Sequence, residues 1–408
     1  MTEWKGFVEL LPRRYLRDRG SEGRTDNQLI VLGEAELDFR LGGEVTGYFR
    51  PRLYADLGTE GFERLYVPEL FLTYSPGRWD LRGGVLVENW GIADTFNPID
   101  FLNPRDFATK ILDPLKLGQP GVRLRRLFEG GHHFGEPTLT LYWMPTFERT
   151  RYAPRGQRFH PAPVGFSFTE TGIDPRGSDR TLWALRYQST LDTPLFNSDI
   201  QLLASRGPDR SPPIHLIADG ILAPVYQDVQ TTGFGLRAVP NEARLGHFLS
   251  TFTLKAEVAH RSFARYGHSP FEESDDYWTC VVGFDRQLPN LLSDRDLLTL
   301  TLEYVSESGA DDAPSSQRVF QQDLIFRALW QANNFSRSTV QLRGVVDPQD
   351  DETILEASFT TQLRAVSEDL RLELRYQRFE HEGEAGTFLS RFSDNSSVSI
   401  GLRWDFAN

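Results

Sequence analysis

The chain has 408 residues, a net charge of -13, 25% charged residues and a mean hydropathy of -0.41. No apolar run approaches the roughly 20 residues that an α-helix needs to cross a bilayer, so a helical span is excluded, and the acidic balance argues against nucleic acid as a partner, which needs a basic face. The single cysteine, Cys280, rules out an internal disulfide, and no C-x-x-C-H or other metal-ligand spacing is present, so no cofactor or metal is expected.

Met1-Thr2-Glu3 leads directly into a strand-like segment over 4–17 with no basic or apolar leader ahead of it, so an export signal is expected to have been removed or replaced by Met1. From there a two-residue period dominates. Val31, Gly33, Ala35, Leu37, Phe39 and Leu41 interleave with Glu34, Glu36, Asp38 and Arg40; a helix would scatter these charges around its axis, so a strand is predicted. Strands follow over 44–55, 64–74 and 79–88, then, after a long connection over 89–120, over 121–128, 137–145, 181–190, 198–206 and 230–239. In 248–258, Phe248, Phe252, Leu254, Ala256 and Val258 share one face, with Thr251, Thr253, Lys255 and Glu257 on the other. Further strands are predicted over 276–285, 296–306, 318–331, 336–346 and 353–364. In 370–377, Leu370, Leu372, Leu374 and Tyr376 alternate with Arg371, Glu373, Arg375 and Gln377. The last ten residues repeat the pattern, Ile400, Leu402, Trp404 and Phe406 against Ser399, Gly401, Arg403 and Asp405, which makes about 18 strands.

A glycine (Gly401) followed by two aromatics two apart (Trp404, Phe406) at the C-terminal end resembles the assembly signal of bacterial outer-membrane β-barrels. The resemblance implies an all-β fold, an antiparallel up-and-down transmembrane β-barrel forming one domain over 1–408, with 16 strands as the other even count. It also implies a Gram-negative outer membrane, periplasmic termini, outer-membrane lipid around the wall and the barrel-assembly machinery as a partner; a homo-oligomer is left open. Low hydropathy fits, because only alternate residues of each strand meet lipid. Connection lengths agree as well: short turns such as 41–43, 75–78, 191–197 and 365–369 alternate with long loops including 18–28, 89–120, 147–180, 207–229 and 381–395. Residues 214–226 are apolar enough for a strand, but counting them makes the number odd, so parity assigns them to a loop. A propeller would repeat every 40–50 residues or so, and no such repeat exists; a sandwich would expose a continuous apolar outer face to water.

The third long loop carries Asn89-Trp90-Gly91-Ile92-Ala93-Asp94, then Asn97-Pro98-Ile99-Asp100, Asn103-Pro104-Arg105-Asp106 and Gly118-Gln119-Pro120-Gly121-Val122-Arg123-Leu124. These W-G-x-x-D, N-P-x-D and G-x-P-x-V-R-L elements resemble an uncharacterised family of proteobacterial outer-membrane barrels, distantly akin to alginate-export porins. Asn-Pro pairs resist sheet pairing and Asp or Asn side chains cap nearby amides, so the segment should be stiff. In general porins the third loop folds inward, which implies that 89–120 constricts the lumen and brings Asp94, Asp100, Arg105, Asp106 and Lys110 to the constriction; a plug or brace is the plainer alternative. Strand parity adds Arg50, Arg52, Arg82, Glu88, Arg123, Arg125 and Arg186 to the expected pore lining. A field between these arginines and the loop carboxylates would orient a dipolar or anionic solute. Alternatively, the arginines pair with Glu34, Glu36, Asp38 and Glu69 on neighbouring strands and only hold register.

Acidic groups collect at Glu272, Glu273, Asp275 and Asp276, at Asp311 and Asp312, and at Asp347, Asp350, Asp351 and Glu352; without EF-hand spacing they read as solvated loop faces. Trp79, Trp143, Trp183, Tyr187, Trp278, Tyr304, Trp330, Tyr376 and Trp404 are expected in aromatic girdles, and Cys280 on the lipid face. Histidines 132, 133, 160, 215, 247, 260, 268 and 381 fall in connections or at strand ends, and no G-x-S-x-G elbow is present, so no catalytic residues and no enzyme activity are expected. The function expected is passive diffusion of small hydrophilic, anionic or dipolar solutes through a porin-like channel. The alternatives are a channel for hydrophobic substrates, with Ile214, Leu216, Ile217, Ile221, Leu222 and Tyr226 as an apolar patch over the pore; an export-system barrel; and a barrel-embedded lipid hydrolase.

Overall fold

The computed structural model describes residues 2–17, 25–58, 62–108, 110–131, 134–163, 165–174, 180–266, 274–309, 320–349, 351–382 and 392–408. His132, His133, His268, Glu272, Glu273, Asp311, Asp312 and Asp350 lie outside them.

Eighteen strands form one antiparallel sheet that closes on itself. In chain order they are β1 (Thr2–Tyr15), β2 (Asn27–Gly42), β3 (Val45–Asp56), β4 (Glu63–Tyr74), β5 (Trp79–Leu86), β6 (Gln119–Leu127), β7 (Thr138–Met144), β8 (Leu182–Asp192), β9 (Phe196–Pro208), β10 (Asp228–Pro240), β11 (Phe252–Phe263), β12 (Tyr277–Pro289), β13 (Leu297–Glu307), β14 (Leu324–Gln331), β15 (Thr339–Asp347), β16 (Glu352–Gln362), β17 (Leu370–His381) and β18 (Ser397–Ala407). Each pairs with its neighbours in sequence, and β18 pairs with β1, so the predicted count and up-and-down order hold.

The alternation of β18 decides which face meets what. Val398, Ile400, Leu402 and Trp404 are 40–60% exposed, whereas Ser397, Ser399 and Gly401 are buried. In a closed barrel the exposed apolar face is the outside and the polar face is the lumen. At the closing seam Gly6 stands opposite Phe406, and a Cβ on Gly6 would overlap that ring. The same arrangement recurs at Gly47 opposite Phe39 and Gly344 opposite Phe326, so outward glycines are covered by the aromatic across the strand. Trp79, Trp330 and Trp404 lie outward near the short-turn rim, and Trp143, Trp183, Trp278 and Tyr304 near the other.

Several strand ends differ from expectation by a few residues, and two of the shifts have a visible cause. Phe248 belongs to a helical turn, α2 (His247–Ser250), which follows α1 (Glu242–Leu245). Asn241 caps α1 by accepting from the Ala243 amide at 3.1 Å, so the wall resumes only at Phe252. At the start of β14, the Asp323 carboxylate caps the Gln321 amide at 2.6 Å, and the strand begins at Leu324 rather than 318. Residues Ile214–Ala218 and Ile221–Pro224 form a hairpin with Ser167–Phe168 alongside, in a small sheet separate from the wall, as parity required.

The register of β3 with β4 jumps between Arg50, opposite Glu69, and Arg52, opposite Tyr66. This bulge inverts the parity of β4 at Pro68, so that Leu65 and Val67 before it and Leu70 and Leu72 after it all face outward. Gly118 packs against the bulge, and a side chain there would overlap the Pro68 carbonyl.

Unusually for an aqueous lumen, the inside contains a hydrophobic core. Inward residues close to the long-loop rim, among them Ile30, Tyr54, Val281, Val305, Ile325, Val345, Ile354 and Phe379, pack with Ala108, Ile111, Leu112, Ala153 and Phe159 from two inward-turned connections.

Candidate functional site

The segment between β5 and β6 is built from its base upward. Asn103 is buried and ties the two legs together: its side-chain oxygen accepts from the Glu88 amide at 2.8 Å, and its amide donates to the carbonyls of Leu86 at 2.8 Å and Leu117 at 2.9 Å. Arg105–Asp106 then pairs with Leu115–Lys116 in a two-residue ladder. The Asp106 carboxylate caps the Ala108 amide at 2.9 Å and lies 3.5 Å from Arg64. Burial pushes this carboxyl up, against the pull of that amide and that arginine. Burial also pushes the Lys116 ammonium down, with Asp100 opposing.

From this base the segment crosses the barrel. Trp90 is completely buried, with ring centres 5.5 Å from Phe101 and 5.2 Å from Tyr142 and the Arg186 guanidinium 5.5 Å from its own ring centre. Gly91 gives the Asn97 side chain room that a Cβ would take. The amides of Ile92 and Ala93 donate to the Glu257 carboxylate on β11, Ala93 at 2.8 Å, and that of Ile99 reaches it at 3.5 Å. The next two amides, Asp94 at 2.6 Å and Thr95 at 3.1 Å, donate to Glu303 on β13. Ile92 and Ile99 rest where Gly235 and Gly233 leave β10 without side chains. The Asp94 carboxylate pairs with Lys255 on β11 and lies 3.9 Å from Arg327 on β14. Farther along, Asp113 pairs with Arg343 on β15 at 2.7 Å. Strand β15 is nine places from β6 in a circuit of 18, so the segment reaches the opposite wall.

The arginines expected in the lumen all point inward, and most are partnered. Arg50 pairs with Glu69 at 2.7 Å, Arg52 with Glu34, and Arg123 with Asp80 at 2.6 Å and Glu88 at 3.2 Å. Arg125 lies 3.7 Å from Asp80; Arg82 donates to the Thr73 hydroxyl at 3.1 Å and covers the Phe71 ring; Arg186 donates to Gln201 at 2.6 Å and 3.0 Å. Glu88 also accepts from the Tyr142 hydroxyl at 3.1 Å. The loop carboxylates make their close ion pairs with other cations. Asp94 turns to Lys255, Asp100 to Lys116 and Arg105, and Asp106 to Arg64, so the expected field between arginine rows and loop acids is not assembled. Short-range pairing neutralises each charge, which removes the unpaired carboxylates such a field requires.

Between the segment, residues 211–214 and the wall from β11 to β13 lies a cavity of about 360 Å³. Phe96, Phe101, Phe107, Phe320, Tyr152 and Tyr277 line it. Its charged groups are already engaged: Arg261 with Asp209 at 2.5 Å and the Tyr277 hydroxyl at 2.8 Å, Glu307 with the Thr279 hydroxyl at 3.0 Å, Asp100 and Asp94 as above. Lys110, whose ammonium burial pushes down, lines a second cavity of about 110 Å³ with Arg343, Glu356 and Arg375.

Sequence reasoning missed Glu257, Glu303 and Asn103. Parity had put Glu257 on the inward face, but nothing in the chain says that backbone amides some 165 residues earlier would be its partners. Among the described residues no three His, Cys, Asp or Glu side chains gather as a metal would need. Of the acidic clusters, Asp276 caps the Phe263 amide at 2.8 Å and Asp275 pairs with Arg265 at 2.7 Å. Cys280 is a free thiol on the outward face of β12, between Trp278 and Val282.

No protein-family model and no curated protein matches the sequence. Solved structures match it in fold. OpdK, an outer-membrane protein of Pseudomonas aeruginosa, aligns with a TM-score of 0.57 at 9% identity over 100% of this chain and 99% of its own. OccK9 (OpdG) of the same organism aligns at 0.55 and 10% identity, covering 100% and 98%. Wzi, a carbohydrate-binding barrel involved in group 1 capsule assembly in Escherichia coli, aligns at 0.53 and 11% identity, covering 99% and 84%. The protein has the fold of the porin-like outer-membrane β-barrels.

Proposed function

We propose that the protein is an outer-membrane channel through which small solutes diffuse passively past a constriction formed by residues 89–118, with both chain termini on the periplasmic side. The observation that carries this reading is the crossing segment, pinned through its own backbone to Glu257 and Glu303 and leaving a cavity beside it. Arg50, Arg52, Arg82, Glu88, Arg123, Arg125 and Arg186 line the lumen in this reading. The terminal strand with Gly401, Trp404 and Phe406 is the part that the assembly machinery engages.

The cavity favours a solute other than the hydrophilic anion or dipole expected from sequence. A charged solute would have to compete with ion pairs already made, whereas six aromatic rings offer contact to an apolar body. The solute class proposed is therefore small and amphipathic, with an aromatic or aliphatic body and a neutral polar end. Liposomes containing the purified barrel should take up small aromatic alcohols faster than sugars or carboxylates of equal mass, and planar bilayers should show small, weakly ion-selective steps. Equal uptake of all three classes would refute the solute assignment, and silence in the bilayer from folded barrel would refute the channel. A second reading, an export barrel held shut until a partner moves the segment, is favoured by the apolar packing of Ile111, Leu112 and Phe159 against the rim.

A further inference from the structure

Two guanidinium groups lie on the outer wall. Arg126 on β6 and Arg286 on β12 occupy outward positions: Arg126 is flanked in sequence by the inward Arg125, and Arg286 continues the outward set of Trp278, Val282 and Phe284. Both sit at the short-turn rim, Arg126 one residue and Arg286 three residues before the end of its strand. Each stands opposite an outward aromatic, Arg126 opposite Trp79 and Arg286 opposite Phe252. The Arg126 guanidinium lies 4.9 Å from the ring centres of both Trp79 and Phe128. That of Arg286 lies 4.6 Å from Phe248 and 5.1 Å from Phe252. Phe248 is brought there by α2 and is 61% exposed. Among the described residues neither arginine has a carboxylate within ion-pairing distance, whereas the inward Arg50, Arg52, Arg123 and Arg343 are all paired.

A cation on the lipid-facing side of a barrel is tolerated near an interface and costly deeper in. A guanidinium laid on a ring keeps its in-plane N–H groups free, and that fork matches a phosphate in bidentate fashion. At the depth of the last strand residues, the anion that lipid supplies is the headgroup phosphate. We propose that Arg126 and Arg286, each on its aromatic platform, clamp the phosphates of two phospholipids in the leaflet at the short-turn rim. The proposal rests on the barrel being embedded in a membrane but not on its conducting anything.

The test uses the intact barrel in mild detergent with phosphatidylglycerol added, examined by native mass spectrometry. Wild type should retain two lipids that Arg126→Gln and Arg286→Gln each reduce by one and the double variant loses, while Arg237→Gln, an inward arginine near the same rim, keeps both. Millimolar inorganic phosphate should leave the adducts in place; displacement by it would assign the sites to free phosphate and overturn the lipid clamp. Equal lipid retention in all variants, or the same loss in Arg237→Gln, would also overturn it. Heat-modifiable migration reports folding for each variant, and if Arg286→Gln does not fold, Arg126→Gln alone decides. A folded barrel that is silent in a bilayer yet retains two lipids refutes the channel and leaves this assignment standing.

Discussion

Replacing Glu257 by alanine should release the crossing segment. The carboxylate is buried and accepts from Ile92 and Ala93 at short range and from Ile99 at 3.5 Å, so Glu257→Ala strands two well-bonded amides and weakens a marginal one. A buried donor left without its acceptor costs about 1–3 kcal/mol, so the two together destabilise the docked state by about 2–6 kcal/mol. At roughly 1.4 kcal/mol per factor of ten, the undocked population rises by more than about tenfold even at the low end. Glu303→Ala should act similarly through Asp94 and Thr95, and the pair of changes frees the continuous stretch 92–95. Glu257→Gln, which keeps one acceptor oxygen, should have a smaller effect. In planar bilayers the alanine variants should spend more time at a higher conductance level, and limited proteolysis should cut within 90–100 in the double variant but not in wild type. Wild-type conductance together with wild-type protease resistance in Glu257→Ala/Glu303→Ala would refute the view that these carboxylates hold the segment.

Asn103→Ala removes three hydrogen bonds at the base of the segment and should cost about 2–4 kcal/mol, read as a lower midpoint in heat-modifiable gel migration; an unchanged midpoint would show that the two legs are held otherwise. Cys280 needs no engineering, being the single cysteine. In nanodiscs it should react with a membrane-soluble maleimide and resist a charged thiosulfonate, and stoichiometric labelling by the charged reagent would contradict its outward placement. Phe406→Ala strips the ring that covers Gly6 and packs 5.6 Å from Trp4. The amount of barrel reaching the outer membrane should fall several-fold, and undiminished levels would argue against a role for this strand in assembly.

The wall was legible in the sequence because its determinants are local. Alternation within each strand, as in Leu370 to Gln377, sets which side chain faces lipid, and the requirement that an up-and-down barrel close with an even count removed 214–226 from it. The bulge at Pro68 was not legible, because its one-residue slip shows only when β4 is laid against β3. The interior of the barrel was legible only in part. The Asn-Pro pairs marked 89–120 as stiff, and parity marked the inward arginines, yet partner choice depends on strands far along the chain. Lys255, Lys116 and Arg64 take up Asp94, Asp100 and Asp106, the carboxylates expected at the constriction. The use of Gly233 and Gly235 as a seat for Ile99 and Ile92 appears only in three dimensions.

The reach of the crossing segment also implies an order of events during folding. Ile92 is 165 residues from Glu257, Asp94 is 209 from Glu303, and Asp113 is 230 from Arg343. These anchors do not exist until strands β11 to β15 are in the wall, and contacts so distant in sequence close late. By the same measure the seam that joins Gly6 to Phe406 closes no earlier. The segment therefore depends on a wall that it precedes by 165 to 230 residues, and a chain that ends before β11 should leave Ile92, Asp94 and Asp113 without these anchors.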